Sequence, residues 1–338
     1  MTLRRFAAAG LALSLLCGGS ALGQARNEVS IHQTAPVDLR AVDPEGTLVE
    51  ELVVNAKLPG PAWWKVSDAD STVYILAIPA LSPKTLAFDT SVLERRLDGA
   101  NRLIMAPEPE ISIVRVIGLA MGGRRYFLAD KPMRDTLPPE LRARLEKRLA
   151  DSDEKLDSMD DIKPAFAGFL VANMKKGGSI NIQSGGVADK VEEIAKKGEL
   201  KKRPRIQKLD GYDVIDALKS VGSLPKPMQE FCLDAGLREA DAGGFRTVET
   251  AQRWAEGDVV KLAAADRGYQ ACLSATPGVA SEIRKTIDRS TKAIDQALKT
   301  PGKSVALVNF RPLLSEEGVL SKLKAKGYTI TTPDEVQP

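Results

Sequence analysis

Short apolar runs rich in β-forming residues stand near both ends of this chain, and helical periodicity fills the long stretch between them. Val73-Tyr74-Ile75-Leu76-Ala77 and Arg102-Leu103-Ile104-Met105-Ala106 read as buried strands, the second stopped by Pro107 and Pro109. Ser304-Val305-Ala306-Leu307-Val308 and Tyr328-Thr329-Ile330-Thr331 supply two more near the other end, separated by a helix over Glu316 to Lys326. A strand must find a neighbour to satisfy its main chain, so distant segments have to meet. The expected fold is α+β: one mixed central sheet built from N- and C-terminal strands and wrapped by a mostly helical middle. In that middle, Pro139 suits the first turn of a helix running through Leu141, Leu145 and Leu149. Lys163 to Lys175 reads as an apolar helix carrying Phe166, Phe169, Leu170 and Met174, ended by Gly177 and Gly178. Val187 to Lys197 is amphipathic. Arg205 to Leu209 reads as a short strand, and helices follow from Tyr212 to Leu298. The basic cluster from Lys196 to Arg205 is read as a solvated loop rather than a binding patch.

The 338 residues carry 48 Lys and Arg against 45 Asp and Glu, a formal charge of +3. That balance argues against nucleic acid as a partner, because such proteins present a basic face. With 43% hydrophobic residues the chain is neither disordered nor a rod. Residues 1–23 read as a signal peptide: Arg4 and Arg5, then an apolar stretch from Phe6 to Leu16, then small residues before a cut after Gly23. A lipid anchor on Cys17 is disfavoured by Leu16 before it. Residues 24–58 look like a flexible lead-in, and residues 59–333 like the folded domain. No later run is apolar for the roughly 20 residues of a membrane span. The expected location is the periplasm or the exterior, with no integral membrane span. There Cys232 and Cys272 can form a disulfide, the alternative being two buried thiols.

Four segments stand in order: Pro61-Ala62-Trp63-Trp64-Lys65-Val66 followed by Ser71 to Leu76, Lys163-Pro164 heading an apolar helix, Trp254-Ala255-Glu256-Gly257-Asp258, and Gly318-Val319-Leu320 followed by Leu323 to Thr329. Together they resemble the TraB/GumN family of metal-dependent hydrolase-like proteins. The resemblance spans Pro61 to Thr332. It implies two Gly-x-x-His motifs and a glutamate, at the ends of three strands, holding a divalent metal that activates water.

This chain departs from that pattern at each point. The first motif falls on Ala77-Ile78-Pro79-Ala80, with Ala80 at the histidine position. The second falls on Asn309-Phe310-Arg311-Pro312, with Pro312 there, and the glutamate position is Ala106. None of these side chains can ligate a metal. The single histidine, His32, lies outside the domain. Ala165 stands where a tryptophan is implied after Lys163-Pro164, and Arg289-Ser290 where an Arg-Asn pair is implied. Glu108, Glu110 and Asp210 could rebuild an all-oxygen site, although carboxylates at this spacing are more often solvated or paired with Arg289 or Arg311. Arg311 beside the lost histidine could bind an anion or form a surface salt bridge. Asn309 and these charged residues are the candidate cleft-lining set. No phosphate loop or dinucleotide fingerprint is present, and no cofactor or metal is expected. The expected function is a pseudoenzyme that binds or scaffolds a protein or peptide in the bacterial envelope. The alternative is a divergent metal-dependent hydrolase or peptidase with relocated carboxylate ligands.

Overall fold

A computed structural model describes residues 42–80, 82, 86–110, 124–174, 186–242 and 247–337. The leader over residues 1–23, His32 and the Gly177-Gly178 and Gly185 positions lie outside the described residues, as does the side chain of Glu110.

The strands, in chain order, are β1 (Trp63–Ser67), β2 (Ser71–Ile78), β3 (Arg102–Ile104), β4 (Pro109–Glu110), β5 (Arg205–Gln207), β6 (Tyr212–Asp213), β7 (Gly302–Asn309) and β8 (Thr329–Thr331). Six of them form a mixed sheet in the order β5-β3-β7-β2-β1-β8, and β4 pairs with β6 apart from it. The sheet joins the two ends of the chain as expected, and β5 from the middle adds one edge strand. β1 and β2 form a hairpin whose turn is closed by Asp68, which accepts from the Ser71 hydroxyl (2.7 Å) and the Ser71 N–H (2.9 Å). Those bonds hold the Asp68 carboxyl below its ordinary range. β2 and β7 run parallel through eight paired residues, from Ser71 opposite Gly302 to Ile78 opposite Asn309. β3 lies parallel on the other side of β7, with Ile104 opposite Ala306. Covered on both faces, these strands read as continuous apolar runs: Val73, Ile75, Leu76, Leu103, Val305, Ala306 and Leu307 are all buried.

Helix α1 (Ser91–Leu97) packs on the sheet through Val92, Leu93 and Leu97. Its Arg96 is buried between the rings of Trp63 and Tyr74, 4.5 and 4.6 Å from their centroids. Burial lowers this guanidinium to about 10, and the ring faces offset part of its lost hydration. Helices α2 (Arg124–Phe127), α3 (Met133–Thr136), α4 (Pro139–Ala150) and α5 (Pro164–Asn173) open the helical half. Then come α6 (Val187–Lys197), α7 (Val214–Gly222), α8 (Lys226–Asp241), α9 (Thr247–Ala255), α10 (Val259–Ala264), α11 (Tyr269–Ala275) and α12 (Pro277–Leu298). Helix α13 (Phe310–Leu314) and α14 (Val319–Ala325) follow β7. The α12 residues Ile287, Ile294 and Leu298 enter the sheet's core.

Away from the sheet, α5 is buried among neighbours, which accounts for its apolar circumference. It crosses α8 so closely that a Cβ on Gly236 would lie 2.1 Å from the Gly168 carbonyl oxygen. Beside the crossing, Cys232 of α8 and Cys272 of α11 form a disulfide, with Cα atoms 5.2 Å apart.

The later part of the lead-in expected over residues 24–58 packs on the domain. The Val49 N–H donates to the Leu314 carbonyl (2.9 Å), Leu52 is buried, and the Trp64 indole donates to the Leu52 carbonyl (3.2 Å). Leu52 thus has a core to enter, and main-chain groups of this stretch have partners. At the other end the fold continues past 333, where Val336 is buried.

Candidate functional site

Parallel strands bring their carboxyl ends to one edge, and ligands of open α/β sheets bind there. β2 ends at Ile78 opposite Asn309 of β7, and β3 runs out toward Met105 and Ala106 on the other side of β7. The strand ends to which the resemblance assigns its two Gly-x-x-His motifs and its glutamate therefore lie on one edge. Nothing in their side chains can hold a metal. Ala77 and Ala106 are 1% and 7% exposed, Pro312 is buried in α13, and Ala80 is an exposed methyl.

The carbonyl of Ala77 accepts a hydrogen bond from the Trp254 indole N–H. Trp254 is buried, meets Phe88 edge-on at 4.9 Å between ring centroids, and Phe88 in turn lies 4.6 Å from the Lys190 ammonium. The placement of Trp254 is fixed by the turn after α9. There Gly257 takes φ +71°, which favours glycine, and its carbonyl accepts from the Ala56 N–H at 3.0 Å. Aromatic packing thus covers the end of β2.

The carboxylate candidates sit together, but they meet through the main chain. The β4–β6 ladder sets Glu110 opposite Asp213, and the Glu108 carbonyl accepts from the Tyr212 N–H (3.0 Å). Arg289 of α12 donates to the carbonyls of Asp210 (3.3 Å) and Gly211 (2.6 Å). Glu108 and Asp210 are themselves exposed. Among the described residues no three His, Cys, Asp or Glu side chains come together as a metal-ligand group. Asn309 is half-buried at the end of β7, directly before α13. Two surface depressions, one of about 390 Å³ beside α14 and one of about 460 Å³ beside β5, touch none of the motif positions.

Among the described residues Arg311 is drawn into the interior and has no ion pair within salt-bridge distance. It donates to the main-chain carbonyls of Glu45 and Ala263, both at 3.1 Å. Burial lowers it to about 10, reinforced by Arg267 and opposed by Glu45 and Asp43. It belongs to a buried cluster that the sequence did not announce. Arg267 pairs with Asp43 and reaches Glu45 (3.4 Å), whose carboxylate also accepts from the Ser274 hydroxyl (2.8 Å). Burial raises the Glu45 carboxyl against the lowering effects of Ser274 and Arg267. Tyr212 is raised by burial and then by Glu45. Two carboxyl groups and two guanidiniums thus meet inside the protein, tying residues 43–45 to α11 and α13. The available signal was Asp43-Pro44-Glu45-Gly46, a type I turn sequence with proline second and glycine fourth. The turn is made, Gly46 N–H donating to Asp43 O at 3.2 Å.

The sequence profile of the TraB/PrgY/gumN family matches residues 62–332. No curated protein and no solved structure matches the chain.

Proposed function

The chain belongs to the TraB/PrgY/gumN family, and from that premise we propose that it is a pseudoenzyme, a binding or scaffold protein of the bacterial envelope. One observation carries the reading. The strand ends where the resemblance puts a metal converge on a single edge, yet they present Ala77, Ala80, Ala106 and Pro312, with the Trp254 indole on the Ala77 carbonyl. Residues of that kind supply no ligand, no general base and no path for water activation. The exported location rests on the leader-like residues 1–23. It agrees with the Cys232–Cys272 disulfide and with the finding that no helix among the described residues is long and apolar enough to cross a membrane.

A hydrolysis assay on the purified chain tests this, using a fluorogenic peptide library with Mn²⁺, Zn²⁺ or Co²⁺ added. The expected result is no turnover above a protein-free blank. Metal-dependent turnover that disappears in Glu108→Gln or Asp210→Asn would establish relocated carboxylate ligands and end the pseudoenzyme reading.

A further inference from the structure

We propose that the outer edge of β5, with the basic cleft beside it, is a docking strand for an acidic, extended segment of another polypeptide. The surface lies at the edge of the sheet, so the inference does not depend on how the motif positions are read.

Three observations converge. First, among the described residues β5 ends the sheet. The Arg205 N–H donates to Asn101 O (3.2 Å) and the Gln207 carbonyl accepts from Met105 N–H (2.9 Å), so residues 205 and 207 turn their main-chain groups toward β3. Strand alternation then turns the N–H and C=O of Ile206 outward. Among the described residues nothing pairs with them. Second, a cleft of about 460 Å³ runs along this strand, lined by Asn101, Arg102, Arg205, Ile206, Gln207 and Lys208. Third, the charge there is unbalanced. Arg102 stands directly opposite Arg205 across the β3–β5 pair. Adjacent like charges on neighbouring strands repel. Arg102 donates only to the neutral Gln207 side chain (3.3 Å), and neither arginine meets a carboxylate among the described residues. Lys208 reaches Glu192 at 3.4 Å, a carboxylate it shares with Lys196. Exposed Lys201, Lys202 and Arg203 lead into the strand without an ion pair among the described residues.

A carboxylate between Arg102 and Arg205 removes their repulsion, and a strand alongside Ile206 satisfies its outward main-chain groups. Only a polypeptide does both, in the manner of strand addition to a sheet edge. A nucleic acid has no main chain to offer that edge, and the cleft lining contains no aromatic ring on which a base could stack. Cations on an edge strand can also serve to repel strands, and that role makes the opposite prediction.

The test is fluorescence anisotropy with the full chain and a labelled Thr-Glu repeat octapeptide at low salt. Saturable binding is expected, falling about tenfold or more in Arg205→Glu, in Arg102→Glu, or when lysine replaces glutamate in the peptide. Lys208→Glu, changed at an exposed side chain, is a second variant expected to weaken binding, with circular dichroism checking its fold; unchanged binding in all three variants overturns the proposal. N-methylation of alternate peptide nitrogens is expected to abolish binding by blocking the ladder. Absence of saturable binding overturns the proposal. So does unchanged binding of the N-methylated peptide, or equal occupancy by inorganic polyphosphate, because either means charge attraction without strand pairing.

Discussion

Two places in this molecule are lined with small residues, for opposite reasons. At the carboxyl edge of the sheet, Ala77, Ala80 and Ala106 occupy positions where the family resemblance implies a glycine, a histidine and a glutamate, and Trp254 and Phe88 cover the end of β2. At the crossing of α5 and α8, Gly168 and Gly236 are small because the backbones touch: a Cβ on Gly168 would lie 2.4 Å from the Cys232 carbonyl oxygen. A small residue can therefore sit at a strand end with room beside it or at a contact that admits no side chain. What an added side chain would meet tells them apart.

Substitutions at the two places should differ accordingly. Gly236→Ala sets a methyl against the Gly168 main chain of the facing helix, which rotamer changes cannot relieve. The expected loss is about 4 kcal/mol or more, read as a collapse of the denaturant midpoint. A loss below about 1 kcal/mol would mean that the helices can part without cost. Trp254→Ala opens a cavity over Ala77 and strands its carbonyl. The expected loss is about 3–5 kcal/mol by the same measurement. The buried cluster gives a smaller effect that depends on pH. Because Glu45 is raised above its ordinary 4.5 in the folded chain, folding takes up a proton in that window. Its stabilising share is complete below the ordinary value and is lost as pH rises through the folded one. Glu45→Gln has no such proton, so its stability relative to the parent should increase with pH across that interval. A parallel pair of stability–pH curves would remove Glu45 from the account. Ala80→His, at an exposed methyl, should change stability by less than about 0.5 kcal/mol.

The sheet was legible because its central strands are buried on both faces, so Val73 to Ala77 and Val305 to Val308 appear as uninterrupted apolar runs. That Ala80, Ala106 and Pro312 carry no ligand side chain is a matter of residue type alone. What tied the site together was not. Trp254 stands far in sequence from the Ala77 carbonyl it covers, and an indole donor finds its acceptor only after folding. Asp43 and Glu45 sit in a stretch without periodicity, and their burial comes from Arg267 and Arg311, distant in sequence, rather than from neighbours. The two-residue β4–β6 ladder is too short for any pattern to show. The contact between Gly168 and Gly236 has no local signature, because either glycine alone reads as a weak point in a helix.

The account turns on whether the carboxyl edge of the sheet holds a metal. The most direct measurement is elemental analysis of the purified chain after equilibration with Mn²⁺, Zn²⁺, Co²⁺ and Ca²⁺ and removal of free ion. The account predicts no stoichiometric metal. One ion per chain, lost in Glu108→Gln or Asp210→Asn, would contradict it.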